Sequence, residues 1–392
     1  MRNYSRFELT ALVLGLIGSV ITILSAPLIL GDLWNLLSKS DESSRPDDAE
    51  SGHAPSSPRP GVEANEISSL PSSTPSRRPL PREGASLATG LTKLASLSAK
   101  GYVTALDFAP SGQLLVAGGG DSVVLKFWDV PNRRRIISLK RDIDFVHSLR
   151  FSPDGRHLAI GCRDGSLRIW RFLERVEVAR LSAGKERVHA LSYNKEGTLL
   201  AMGVGGEAKV WSPALNKIVL TIDGVSSLGF IPNSNILATG KPAGLLQLWN
   251  TDDRREIGSV NTGLNDIADL AVAVDGGLIA VASRRGALAV VTYPALAVKY
   301  LGEHPVDNYT NVADIQLSPD GRLLIVGSGL LKGHITVWDV ARGTMLAVVD
   351  AGVEALVFEP RGRFFASGSW SEPTYLWSIS DGLYNKGAAA DG

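Results

Sequence analysis

Between residues 91 and 380 the chain alternates short apolar runs with tight polar turns, and the pattern recurs about every forty residues, a period typical of repeat architectures. One column of the repeat is a turn: FAPSG at 108–112, FSPDG at 151–155, YNKEG at 193–197, FIPNS at 230–234, VAVDG at 272–276, LSPDG at 317–321 and FEPRG at 358–362. Pro followed by Asp-Gly is tight-turn chemistry, because Pro presets φ and Gly accepts a positive φ. Each turn leads into a run such as LLVAGG, HLAIGC or LLIVGS, which lacks polar alternation and so predicts a strand buried on both faces. A further strand then ends at one position held by Trp128, Trp170, Trp211, Trp249, Val291, Trp338 and Trp377. Only the fifth unit departs from tryptophan there.

The ends of this region predict how the units close. After Trp377 the sequence offers no clear fourth strand, whereas TKLASLSA at 92–99 precedes the first unit and has the pattern of RRRIISLK and ERVEVARL. The N-terminal segment is therefore expected to complete the last sheet. Such an interlock removes an exposed sheet edge.

With these three columns in order, the chain resembles the WD40-repeat family over about 290 residues. The resemblance implies an all-β, seven-bladed β-propeller. True Trp-Asp pairs stand only at Trp128-Asp129 and Trp338-Asp339, and no Gly-His pair precedes a first strand. The hydrogen-bonded Asp-His-Ser-Trp network of the family is thus expected to be mostly missing, with blade packing resting on apolar contacts.

The N-terminal residues have a different pattern. Leu9 to Leu30 contains no charge, and about 20 helical residues cross a bilayer core, so residues 1–37 are expected to form a transmembrane anchor. A cleaved secretory signal is the competing reading, although the apolar run is long and Leu24-Ser25-Ala26 lacks a small residue at its first position. Arg2 and Arg6 before the span favour a cytoplasmic N-terminus and an extracytoplasmic propeller. Residues 38–90 are dense in Ser and Pro and are expected to be a disordered linker. The propeller then occupies 91–380, and residues 381–392 a flexible tail.

Composition narrows the function. Lys plus Arg and Asp plus Glu number 40 each, so no bulk field favours nucleic acid. The single cysteine, Cys162, sits in an apolar run and reads as packed. No nucleophile elbow, phosphate loop or HExxH stands in the chain, and no cofactor or small-molecule substrate is expected. Gly118-Gly119-Gly120 reads as a bulge or turn rather than a nucleotide cradle.

The resemblance places partners on the face of the loops leading into first strands and joining second to third strands. Tyr102, Phe145 and Arg187 stand at the first of these positions on three consecutive blades and are types enriched among binding hot spots; the alternative is that Tyr102 and Phe145 pack against neighbouring blades and Arg187 is solvated. Trp370 is expected beside Tyr102. Tyr309, in the insertion from Gly302 to Val312, is a further anchor, and Asn308-Tyr309-Thr310 fits a glycosylation acceptor. Arg163, Lys185, Lys241, Arg284, Arg285 and Lys332 gather in the same loops; solvated surface is the alternative to an acidic-partner site. His147, His189 and Glu354 share a column, but blade spacing argues against a metal. The leading expectation is a non-catalytic, membrane-tethered protein-binding scaffold. An enzyme or ligand-binding propeller with a site built from loops, and a passive envelope component, stand as alternatives.

Overall fold

The computed structural model describes residues 90–97, 101–120, 125–139, 143–306, 310–329, 333–371 and 373–380. Within them lie twenty-eight β-strands in seven antiparallel sheets of four. The innermost strands are Ala105–Phe108, Val146–Phe151, Val188–Tyr193, Ser227–Phe230, Asp269–Val272, Val312–Leu317 and Ala355–Phe358. Each packs against its neighbours in turn, and the last returns to the first. The sheets are therefore the blades of a closed β-propeller. The apolar span and the Ser/Pro-rich stretch lie outside the described residues. Among the described residues no helix is long and apolar enough to cross a membrane.

The turn column behaves as its chemistry requires. Gly112, Gly155, Gly197, Gly276, Gly321 and Gly362 all have φ between 68 and 77°. Blade 4 has Ser234 where the others have glycine, and there Asn233 takes the left-handed conformation one residue earlier, at φ 62°. Asn tolerates that region better than most residues.

The tryptophan column is one register position. The pairs are Leu115 with Trp128, Leu158 with Trp170, Leu200 with Trp211, Leu237 with Trp249, Ile279 with Val291, Leu324 with Trp338 and Phe365 with Trp377. In blades 1, 2, 3, 4 and 6 a β-bulge between third and outermost strands falls immediately before the tryptophan. A bulge adds local twist and re-aims the side chain that follows.

The expected closure is present. The strand Leu91–Leu97 pairs antiparallel with Thr374–Ile379 and becomes the outermost strand of blade 7. Leu97 then joins a core shared by blades 7 and 1, with Val103, Phe108, Trp128, Val357 and Leu376.

The expectation that the polar network is mostly missing needs one correction. In blade 6, Trp338 Nε1 donates to Thr336 Oγ1 at 2.8 Å. His304 joins the same hydroxyl through Nδ1 at 2.8 Å and reaches Ser328 Oγ through Nε2 at 2.7 Å. Glu303 separates Gly302 from His304, so no Gly-His pair marks this histidine in the sequence. Elsewhere the expectation describes the blades better. Trp377 Nε1 finds Ser367 Oγ at 2.9 Å, while the indole nitrogens of Trp211 and Trp249 are buried with no hydrogen-bond partner among the described residues.

Burial, with a smaller effect of His334, pushes the His304 pKa down to about 3. The neutral ring thus stabilises the fold fully above the unfolded value near 6.5, and this stability is lost as pH falls towards the folded value. We expect the chemical-denaturation midpoint to fall more steeply between pH 7 and pH 4 in the parent than in His304→Gln, after allowing for slopes common to both. Removing the ring with His304→Ala should cost about 1–3 kcal/mol at pH 7, because two buried side-chain hydrogen bonds, to Thr336 and Ser328, are lost.

Candidate functional site at the channel mouth

The innermost strands surround a central channel with a cavity of about 650 Å³, lined by residues from all seven blades. They are stitched together by side chains handed from one blade to the next. Asp107 Oδ2 accepts the amide of Phe151 at 2.6 Å, Ser192 Oγ that of Phe230 at 3.0 Å, Asp269 Oδ2 that of Ile315 at 3.0 Å, and Asp314 Oδ2 that of Leu356 at 2.6 Å. At the other end of these strands, Thr104 donates to the Val146 carbonyl at 2.5 Å and Ser148 to the Val188 carbonyl at 2.8 Å, and Ser226 donates to the Ile267 carbonyl. These contacts hold the loops at the mouth in fixed relation. Sequence reading missed them; the signal was a carboxylate inside an otherwise apolar first strand.

The charges in the channel are unevenly placed. Asp269 and Asp314 lie on adjacent blades, close enough for each carboxyl to affect the titration of the other. Burial pushes the pKa of Asp269 up to about 6, and burial together with the neighbouring Asp269 raises that of Asp314 well above the usual carboxylate range. Asp107 is pushed up to about 6 by burial, although Arg150 Nη1 lies 3.5 Å from its Oδ1. Arg150 also donates to the Leu191 carbonyl through Nε at 3.3 Å.

At the mouth the sequence-expected residues come together in part. The Val103 amide donates to the Ser369 carbonyl at 3.0 Å, tying the lead-in of blade 1 to the loop of blade 7. This sets Tyr102 and Trp370 side by side, with ring centroids 5.1 Å apart. Phe145 follows at 6.2 Å from Trp370 and 5.0 Å from His147. Tyr102 and Trp370 are 42% and 39% exposed, and Phe145 is half-buried, so the three rings form an open ledge.

The glycine run of blade 1 makes the ledge possible. A Cβ on Gly120 would lie 2.2 Å from the Phe145 ring, and one on Gly119 would lie 1.9 Å from the Tyr102 carbonyl oxygen. The run lies tightly against the lead-in segments of blades 1 and 2. It is the floor on which Phe145 rests.

Arg187 is exposed and stands one blade further on, near both histidines of the column. His147 is pushed down to about 4 by burial first, then by Arg187 and Arg163, and only partly opposed by Asp144. His189, whose Nε2 lies 3.2 Å from the Ser226 carbonyl, is lowered by burial and by Arg187. Glu354 is raised by burial, partly opposed by the nearby Trp370 side chain and by Arg187. Among the described residues no group of three or more His, Cys, Asp or Glu side chains is arranged to hold a metal ion.

The remaining expected residues are dispersed or not described. Arg284 pairs with Asp266 at 3.7 Å, and Lys241 Nζ donates to the Asp223 carbonyl at 2.9 Å. Tyr309 and Lys332 lie outside the described residues, as does most of the acceptor triplet. Cys162 is buried, and burial pushes its thiol up to about 11.

Comparison with known proteins agrees with this architecture. The family model "WD domain, G-beta repeat" matches residues 91–128, 136–171 and 298–339. Each match opens on or within an outermost strand and runs into the next blade, as expected when the sequence repeat is offset from the blade by one strand. The chain is similar to transcription factor unc-37 of Caenorhabditis elegans, with 24% identity covering 60% of this chain and 38% of that protein. It is also similar to WD repeat-containing protein srw1 of Schizosaccharomyces pombe, with 24% identity covering 71% of this chain and 51% of that protein. A third relative is cell division cycle 20.5, cofactor of APC complex, of Arabidopsis thaliana, with 22% identity covering 71% and 65% of the two chains. The chain thus spans about half the length of these relatives. It carries WD40 repeats, and it closes them into a seven-bladed β-propeller.

Proposed function

We propose that the propeller is a non-catalytic scaffold that captures a protein partner at the channel mouth. The observation that carries this reading is the ledge of Tyr102, Trp370 and Phe145, three aromatic rings from three blades that remain open to solvent beside an exposed arginine. Tyr, Trp and Arg dominate binding energy where they cluster, and interlocked blades make the ledge rigid, so little ordering entropy opposes association. A relative described as a cofactor of the APC complex supports the same type of role.

The uncharged run from Leu9 to Leu30 supports a membrane tether, with Arg2 and Arg6 holding the N-terminus in the cytoplasm and the propeller on the other side. The Ser/Pro-rich stretch would then act as a spacer. Protease protection in intact cells tests the side.

Affinity capture after crosslinking tests the patch. Phe145→Ala and Arg187→Ala, each compared with the parent, should lower capture by about thirty-fold, equivalent to about 2 kcal/mol for a hot-spot residue. The melting temperature should stay near that of the parent. Undiminished capture by both variants would remove the mouth from consideration.

A further inference from the structure

The charge beside the ledge allows the partner's chemistry to be read more closely, given that the mouth is the docking site. Two loops meet there. The Arg163 amide donates to the Phe145 carbonyl at 2.8 Å, so the loop of Arg163 starts at the ledge. The Ala183 amide then donates to the Gly165 carbonyl at 2.9 Å, and a Cβ on Gly165 would lie 2.3 Å from the Gly184 oxygen. The Arg163 loop and the loop holding Lys185 and Arg187 are therefore in contact.

Arg163, Lys185 and Arg187 are all exposed, and none makes an ion pair among the described residues. This is unlike Arg150, Arg168 and Arg180, each of which has a carboxylate within 4.0 Å. The acidic groups of this sector are Asp144, Glu186, Glu354 and Asp164, the last next to Arg163 in its loop and paired with Arg180 at 4.0 Å. Burial first, then Arg187 and Arg163, holds His147 below the usual histidine range. Three cations without partners next to an apolar ledge complement a ligand that carries negative charge beside an apolar side chain.

We propose that this sector takes an acidic peptide segment of the partner, whose carboxylates engage Arg163 and Arg187 while a neighbouring apolar side chain lies on Tyr102, Phe145 and Trp370. The guanidinium fork suits a carboxylate in two-point contact, which a lysine at the same place matches only as a point charge. The segment is extended enough to reach from the ledge to the Arg187 loop, that is, across blades 1 to 3.

The test is selection of a displayed random peptide library on the full chain, followed by titration of the selected peptides against variants. Peptides that depend on Phe145 should carry Asp or Glu beside an apolar residue. Their affinity should fall about tenfold or more in the Arg163→Ala/Arg187→Ala double variant, and Arg187→Lys should recover part of it. The same peptides with acids replaced by Gln or Asn should bind the parent as weakly, a result independent of how any variant folds. Phe145-dependent peptides with no acidic excess, or with affinity unchanged in the double variant, would overturn the acidic segment and leave the mouth as a docking site. Peptides indifferent to both Phe145→Ala and Trp370→Ala would overturn the two proposals together.

Discussion

Deleting residues 91–97 should abolish cooperative unfolding of the domain, because the strand Leu91–Leu97 is the outermost strand of blade 7. Its loss uncovers an edge along Thr374–Ile379 and strips Leu91 and Leu97 from two separate cores. Burial of two leucines alone is worth about 3–6 kcal/mol, against a total stability of about 5–15 kcal/mol for a folded domain. The uncovered strand also becomes a template for pairing between chains. Calorimetry and size-exclusion chromatography should show loss of the unfolding transition together with aggregation. A truncated chain that melts as one unit at the parent temperature would contradict the closure.

Trp128→Ala should be the most damaging single substitution in the tryptophan column. The indole is 1% exposed and sits where blade 1 meets blade 7, among Leu97, Val103, Phe108, Ala355 and Leu376. It therefore packs the same seam that the N-terminal strand closes. Truncating a buried tryptophan costs about 3–5 kcal/mol, since the ring's contacts are lost and a cavity remains. Trp249→Ala should cost less, because that side chain is half-buried and its indole nitrogen has no hydrogen-bond partner among the described residues. Denaturation midpoints measured at constant m separate the two.

Most of the architecture was legible because each column obeys a local rule that the structure keeps. The turn glycines had to take positive φ, the second strands had to be apolar on both faces, and the tryptophans had to share one register. Even blade 4, which breaks the glycine column, uses the residue type next best suited to the left-handed region. The closure was legible too, because a strand without a partner stood at one end and a sheet without its fourth strand at the other.

Less of the mouth was legible, because its geometry is made between blades rather than within one. The placing of Tyr102 beside Trp370 followed from topology, but the stacking of Phe145 on Gly120 depends on a close approach that leaves no periodic trace. The glycine run was visible, while its purpose was not. His304 was hidden by a single intervening residue, Glu303. The hand-off from Asp107, Asp269 and Asp314 was hidden because a lone acid in an apolar strand does not announce which amide it will meet.

The most direct measurement of the central claim is photo-crosslinking from single positions of the full chain in the cells that make it. A crosslinker in place of Tyr102 or Trp370, both on the open ledge, should yield one shared partner adduct. A crosslinker in place of Val176 or Val178, exposed on the outermost strand of blade 2, should not yield it. The same adduct formed from the outer strand and missing from the ledge would place the partner on the rim of the propeller and contradict capture at the mouth.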